Sequence, residues 1–476
     1  MNRPAMSVQQ DEGQAFAAFV ESEPGYAATA PLDELRSREF SRLDRLGHVY
    51  VDYTGSGLYA DSQVRRHADL LAGGVFGNPH SVNPTSTAST ECVERCRRKV
   101  LAFFRADPSK YGVVFTGNAS QALKLVGEAY PFAPGDQFLL TFDNHNSVNG
   151  IREFARSHGA DIHYVPVFPP DLRGRDEEVD RYLAASSTSG KRRLFAYPAQ
   201  SNFSGVQHPL EWIDRAHAHG VDVLLDAAAF APTNRLDLSS VAPDFVTLSF
   251  YKMFGYPTGV GALVARHDAL ERLRRPWFAG GTIDVVSVQA DQFRYSAGTA
   301  AFEDGTPNFL ALPAVETGLE LLESVGFDLV HERVRALTGW LLAALGSLAH
   351  GSGRPLVRIY GPTDTERRGG TVAFNLTHGD GSLVDHELVD ARASAAGISL
   401  RTGCFCNPGA GELAFSLSRD EISTCLGPAE HRMTYDQFRH CIDPKAAGAV
   451  RASLGLVSTF GDAWRLVRFL ATFRDA

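Results

Sequence analysis

Residues 249–266 read SFYKMFGYPTGVGALVAR, a single lysine between aromatic residues followed by a run of glycines. Gly255, Pro257, Gly259 and Gly261 interrupt helical hydrogen bonding or cost backbone entropy, so Lys252 is expected in a loop rather than a helix. Before it, DFVTLSF (244–250) is an apolar, β-branched run that reads as a strand, and GVGALVAR (259–266) reads as the next. Lys252 therefore stands where a buried strand ends. A lysine so placed can simply reach solvent along its own apolar stem, and its neighbours in the fold must decide whether it does more.

Working outward from that lysine, short apolar runs alternate with helix-like segments from about residue 48 to 310. YGVVFTG (111–117) precedes NASQALKLVGEAY, DQFLLTF (136–142) precedes NSVNGIREFARSHG, and RRLFAYPA (192–199) precedes PLEWIDRAHAHG and then VDVLLDAAAF. This rhythm predicts an α/β domain with a mainly parallel sheet. Beyond residue 311 the pattern changes to long amphipathic helices (314–350), then VRIYG, GTVAFNL and a closing helix, GDAWRLVRFLATF. Three parts are expected: a large domain over 48–310, a smaller α+β domain over 311–476, and residues 1–47 packed against the smaller one.

The chain has 476 residues, 44% of them hydrophobic, and a formal net charge of -9. That balance argues against nucleic acid or an anionic membrane as the main partner. The N-terminus has no apolar leader, and no uninterrupted apolar stretch of about 20 residues occurs, so a cytoplasmic location is expected. Six cysteines in so long a chain make no disulfide scaffold, and all are expected as thiols. Cys92 and Cys96, four apart in ECVERCRRKVLAFF, read as buried small hydrophobes on a helix.

In an open α/β sheet ligands bind beyond the carboxyl ends of the strands, and unusual residues collect there. Asp226 closes VDVLLD, where a carboxylate needs a partner or caps a helix. FTGNASQALKLV turns a strand into a helix through Gly117, Asn118, Ala119 and Ser120, whose free N–H groups and hydroxyl suit a phosphate. His145 follows a third strand in DNHNSVNGIRE. A phosphate cradle, a carboxylate and a lysine, in that order, match what pyridoxal 5'-phosphate requires: a phosphate site, a partner that keeps its ring nitrogen protonated, and an amine for its aldehyde.

At this point the chain resembles the class V aminotransferase-fold enzymes of pyridoxal-phosphate fold type I, the group that holds cysteine desulfurases and selenocysteine lyases. GNPHSVN, YPAQSNFSG, LLDAAAF, DFVTLSFYKMFGYPTGVGAL, FEDGTPNF and LRTGCFCNPGA are most similar to the aminotransferase-like N-terminal domain of molybdenum cofactor sulfurases, from about residue 48 to the C-terminus. The resemblance implies a seven-stranded-type sheet. It implies that Lys252 is the catalytic lysine, that Asp226 holds the ring nitrogen, that His145 stacks on the ring, and that Gln200 and Asn202 line the cofactor. Ser249 is expected as a further phosphate ligand beside Ala119 and Ser120. Gly305 and Thr306 match a segment that reaches the phosphate of a neighbouring subunit, which implies a homodimer.

The same resemblance assigns the substrate α-carboxylate to Arg451 in VRASLGLVST, where a guanidinium suits a bidentate pair. In RTGCFC it makes Cys406 a better match than Cys404 for the mobile cysteine of desulfurases, with Arg401 near enough to favour the thiolate. A CxC pair without a second ligand pair is a poor zinc site, so no metal is expected. The implied reaction is L-cysteine to L-alanine, leaving a persulfide for a sulfur-acceptor protein. Other pyridoxal-phosphate chemistry on the same scaffold stays open: β-elimination, epimerisation, transamination or selenocysteine cleavage.

The sequence also departs from the pattern. Many bacterial desulfurases have a histidine before the catalytic lysine and a glutamine or histidine three residues after the aspartate, where this chain has Tyr251 and Ala229. The sulfurases often have a third cysteine where it has Gly411. The sequence stops at Ala476, so their C-terminal domain is expected to be missing, which puts the delivery of sulfur to molybdenum cofactor in question.

Overall fold

The computed structural model describes residues 11–185, 190–427, 433–442 and 448–475. Residues 1–10 of the expected N-terminal segment lie outside them. Seven strands form the central sheet: β1 (Tyr111–Thr116), β2 (Gln137–Thr141), β3 (Asp161–Val165), β4 (Arg193–Pro198), β5 (Asp222–Asp226), β6 (Phe245–Ser249) and β7 (Gly261–Arg266). Their order across the sheet is β1-β7-β6-β5-β4-β2-β3, and β7 alone runs against the others.

Side chains alternate across a strand, and this sheet is covered on both faces. Val113, Leu139, Phe195, Val223, Val246 and Ala262 enter one hydrophobic core. Val114, Leu140, Ala196, Leu224, Phe245 and Leu263 enter a second core on the opposite face. With both faces apolar, polar side chains are displaced to the strand ends, and the carboxyl ends of β1, β2, β4, β5 and β6 share one edge.

A smaller antiparallel sheet, ordered β8-β9-β11-β10, is formed by β8 (Val357–Tyr360), β9 (Thr371–Leu376), β10 (Arg401–Gly403) and β11 (Ala449–Ser453). The helices Phe327–Ser347 and Phe460–Ala471 close its core with Leu337, Leu341, Leu345, Leu466 and Leu470. The N-terminal helix Glu12–Ser22 brings Phe19 onto Phe460, with ring centroids 5.0 Å apart. The two-residue strand Val49–Tyr50 then pairs with Ile398–Ser399 beside the small sheet. From there the chain crosses to the large sheet, and the Gly57 N–H donates to the Tyr251 carbonyl at 3.0 Å.

Two expectations are corrected. Lys252 does not lie in a loop: Phe250–Phe254 forms one helical turn, and Gly255, at φ +77°, ends it. The helix breakers begin only at Gly255, which leaves room for that turn. Nor are all six cysteines thiols, since Cys425 and Cys441 are disulfide-bonded across the helices Arg419–Leu426 and Tyr435–Cys441. Packing of that helical pair brings their Cα atoms to 5.6 Å, within bridging reach. Cys92 and Cys96 are free and buried. No helix of the described residues is long and apolar enough to cross a membrane.

Candidate active site

At the carboxyl edge of the large sheet lies a cavity of about 190 Å³ lined by Ala119, Ser120, His145, Gln200, Asn202, Asp226, Ser249 and Lys252, with Ala229 and Tyr251 beside them. The segment that follows Asp52 crosses the Lys252 turn so closely that a Cβ on Gly57 would stand 2.9 Å from the Lys252 carbonyl oxygen. Among the described residues the Lys252 amine has no hydrogen-bond or ion-pair partner. Burial pushes its pKa down, Asp226 opposes that shift, and Arg451 adds to it.

Asp226 ends β5 beside β6. Its Oδ1 accepts from the Ala228 N–H at 3.0 Å and from the Thr247 hydroxyl at 3.4 Å, which leaves Oδ2 uncommitted on a residue that lines the cavity. His145 caps a short turn, and its Nδ1 accepts from the Ser147 N–H at 3.1 Å, so the neutral ring carries its proton on Nε2. Burial lowers the His145 pKa, which favours that neutral ring. Gln200 is oriented in the same way: Gln207 Nε2 and Asn234 Nδ2 both donate to its Oε1, at 3.0 and 3.3 Å, so its Nε2 is left as a donor.

The phosphate cradle forms where β1 turns into the helix Ala119–Ala129, capped by Asn118. The Ala119 N–H donates to Ser249 Oγ at 3.0 Å, joining the ends of β1 and β6. Ser120 Oγ lies 2.6 Å from Ser147 Oγ, a hydroxyl the sequence reading had not singled out. Two hydroxyls and the dipole of a helix start meet the needs of a phosphate. With a ring-facing carboxylate, a neutral imidazole and a partnerless amine in the same cavity, these residues fit pyridoxal 5'-phosphate.

Arg451 is buried on β11, directly across from Arg401 on β10. Its Nη1 donates to the Asn202 carbonyl at 3.0 Å, its Nη2 to Asp52 Oδ1 at 3.0 Å, and its guanidinium lies over the Phe405 ring at 4.7 Å. The buried Nε has no partner. Burial lowers the Arg451 pKa, and Asp52 works against that. The other oxygen of Asp52 takes the Arg401 fork at 2.6 and 3.1 Å. Asp52 is therefore the shared counter-ion of both arginines. The sequence offered only a weak signal for it, an acidic residue after the apolar VYV of a short strand. Arg401 is half-exposed and pairs with this carboxylate.

Cys406 is exposed, and its carbonyl accepts from the Asn146 N–H at 2.7 Å, one residue from His145 of the cavity wall. A thiolate there would act on both Lys252 and Arg451. Cys404 is partly buried in the same loop. Gly305 and Thr306 do not line the Lys252 cavity. Thr306 borders a separate cleft of about 400 Å³ with Gly117 and Gly259, and its hydroxyl accepts from Asn78 at 3.3 Å.

The family model for class V aminotransferases matches residues 49–466. The molybdenum cofactor sulfurase of Solanum lycopersicum is 35% identical over 98% of this chain, and the chain spans 60% of that relative's length. A cysteine desulfurase from Thermococcus onnurineus superposes with a TM-score of 0.75 at 22% identity, over 91% of this chain and 96% of that one. A lysine-to-alanine mutant of C-DES, with glycine covalently linked to its PLP cofactor, gives a TM-score of 0.68 at 18% identity over 92% and 98%. These two likenesses show the fold.

Proposed function

The chain belongs to the class V aminotransferase family, whose cofactor is pyridoxal 5'-phosphate, and from that premise we propose a desulfurase-like enzyme that moves sulfur from L-cysteine to Cys406 and on to an acceptor protein. Cys406 carries this reading, because its carbonyl is docked on Asn146 in the turn that His145 caps, and as a thiolate it would act on both Lys252 and Arg451.

When bound, the cofactor supplies an aldehyde for the lysine amine and a sink for the electrons released at Cα. Ala119, Ser120 and Ser249 would hold its phosphate, Asp226 would keep its ring nitrogen protonated, His145 would face the ring, and Gln200 Nε2 would be the donor left for its phenolic oxygen. The orphaned Nε of Arg451, with the remaining N–H of its fork, receives the substrate α-carboxylate. The lowered pKa of Lys252 leaves more of the amine free to take the Cα proton.

The Cys406 thiolate then attacks the substrate sulfur. A sulfur–sulfur bond forms, the Cβ–sulfur bond breaks, and Cβ gains a proton. The balance is L-cysteine plus a thiol giving L-alanine plus a persulfide. Gly305 and Thr306, set apart from their own chain's cavity, serve the site of a second copy in a homodimer.

The test is to incubate cofactor-loaded protein with L-cysteine, quantify alanine and pyruvate, and map persulfide by mass spectrometry. Alanine with sulfur on Cys406, lost in Cys406→Ser and kept in Cys404→Ser, is the expected result. Pyruvate in place of alanine would make the enzyme a C–S lyase and overturn the reading.

A further inference from the structure

The loop that carries Cys406 has an unusual backbone. Phe405 and Cys406 both stand at φ +54°, in the left-handed region that residues with a Cβ avoid. Two consecutive residues hold that shape only when surrounding contacts impose it. Those contacts converge on two buried or partly buried amides.

Asn202 Nδ2 donates to the Phe405 carbonyl at 2.7 Å, and Asn202 Oδ1 accepts from Asn407 Nδ2 at 3.0 Å. The second N–H of Asn407 goes to the Asp143 carbonyl at 2.7 Å, and its Oδ1 accepts from the Ala410 N–H at 3.2 Å. Every donor and acceptor of the fully buried Asn407 amide is therefore committed. Asp143 is itself fixed, since its Oδ2 lies 2.9 Å from Nε2 of the buried His208. The helix Pro408–Ala414 meets the same turn so closely that a Cβ on Gly409 would fall on the Phe142 carbonyl oxygen.

We infer that Asn407, acting through Asn202, is a positioning residue that clamps the Cys406 loop to the 142–146 turn and so holds the thiol at the rim of the Lys252 cavity. The same Asn202 offers its carbonyl to Arg451 at 3.0 Å, so one residue ties the carboxylate site, the cavity wall and the cysteine loop together. This inference rests on the desulfurase reading for its purpose, but the clamp can be measured without it.

Asn407→Asp is the discriminating variant, because it keeps the Oδ1 cap on Ala410 and the side-chain shape while removing both donors. Losing two buried hydrogen bonds at the loop is expected to raise the rate of Cys406 alkylation by iodoacetamide about tenfold or more. In L-cysteine turnover, kcat should fall by a similar factor of about ten while KM stays within about twofold, since Arg451 and Lys252 are untouched. The cofactor absorbance should not move.

Gly409→Ala is the independent second variant, because its added methyl forces the loop off Phe142 without touching either amide, and it should expose Cys406 in the same way. Alkylation at the wild-type rate in both variants would overturn the clamp, as would an equal rise for Cys404 and buried Cys92, which signals general unfolding. If wild-type protein makes no alanine from L-cysteine, the desulfurase reading fails, and the alkylation rates still decide the clamp.

Discussion

The two sides of the active site are built by different means. The cofactor wall belongs to the large sheet: Asp226 and Ser249 end adjacent strands whose ladder pairs Asp226 with Thr247, and His145, Gln200 and Ser120 are oriented by hydrogen bonds to residues 2, 7 and 27 positions away. The sulfur side belongs to the small sheet and its loop. There Arg451 and Cys406 are placed by contacts far apart in the sequence, with Asp52 for the arginine and Asn202 and Asn407 for the cysteine. On the proposed reading, the wall of strand ends would position the cofactor, and the loop held by side-chain amides would present its thiol to an acceptor. The division also predicts where mutations act: wall variants should change cofactor binding and proton transfer, and sulfur-side variants should change substrate capture and sulfur transfer.

The sharpest way to break that division is at Lys252. Lys252→Ala should lower alanine formation by on the order of 10²–10⁴, the range for losing a positioned general base. It should leave Cys406 alkylation unchanged, because the loop contacts do not include the lysine. Steady-state turnover and alkylation of the same preparation would check both halves, and a Cys406 that became reactive would show the two sides to be one unit.

Asp52 tests the sulfur side through stability. Replacing it by asparagine leaves buried Arg451 without its carboxylate, an uncompensated charge that costs about 3 kcal/mol, with little added by half-exposed Arg401. Urea unfolding should show that loss in free Asp52→Asn protein. L-Cysteine binding should weaken as Arg451 loses its orientation, while cysteamine, which lacks the carboxylate, should bind unchanged. An equal loss for both ligands would mean that Asp52 supports the wall as well.

A smaller effect separates the titrating groups. His145 and Lys252 both have folded pKa values below their ordinary ones of 6.5 and 10.5, chiefly through burial. Between each lowered value and the ordinary one the unfolded chain binds more protons than the folded chain. Stability of the cofactor-free protein therefore rises with pH across both windows, and the penalty is fully present below them. Urea midpoints measured across pH should rise in wild type, flatten on the acid side in His145→Asn, and flatten on the alkaline side in Lys252→Met. A wild-type midpoint that fell across both windows would contradict the burial of both groups.

Legibility in the sequence followed the same division. The strands, their order of appearance and the polar residues at their ends could be read because two-faced burial leaves long apolar runs that stop at a functional residue, as VDVLLD stops at Asp226. The Lys252 turn was misjudged because five residues are too few for periodicity to distinguish a helix from a loop. Cys406 and Arg451 came from resemblance, since neither spacing nor pattern marks them. Asp52 and Asn407 were missed for a physical reason: their partners lie 399 and 349 residues away for Asp52, and 264 and 205 residues away for Asn407. No local signal encodes such contacts. The disulfide was missed because an argument from cell compartment stood in for one from packing.

The last test concerns a part of the small-sheet side that the catalytic argument does not use. The chain leaves β10 through the cysteine loop and reaches β11 only after the helices Arg419–Leu426 and Tyr435–Cys441, stapled by Cys425–Cys441. Their small apolar core, Cys425 and Ile442 with Leu417 and Phe438, does not join the one beneath the small sheet. Closing a loop with a sequence separation of 16 stabilises the pair by about 3 kcal/mol in a chain-entropy account. That term acts locally, because Cys425 and Ile442 form their own buried core, and only Leu417 also packs against the cluster around Phe405. Cys425→Ser should therefore speed proteolytic cleavage within 419–442 while the global urea midpoint, Cys406 alkylation and alanine formation keep wild-type values. If alkylation rose together with cleavage, the staple would be part of what holds the cysteine loop, and the sulfur side would include the stapled helical pair.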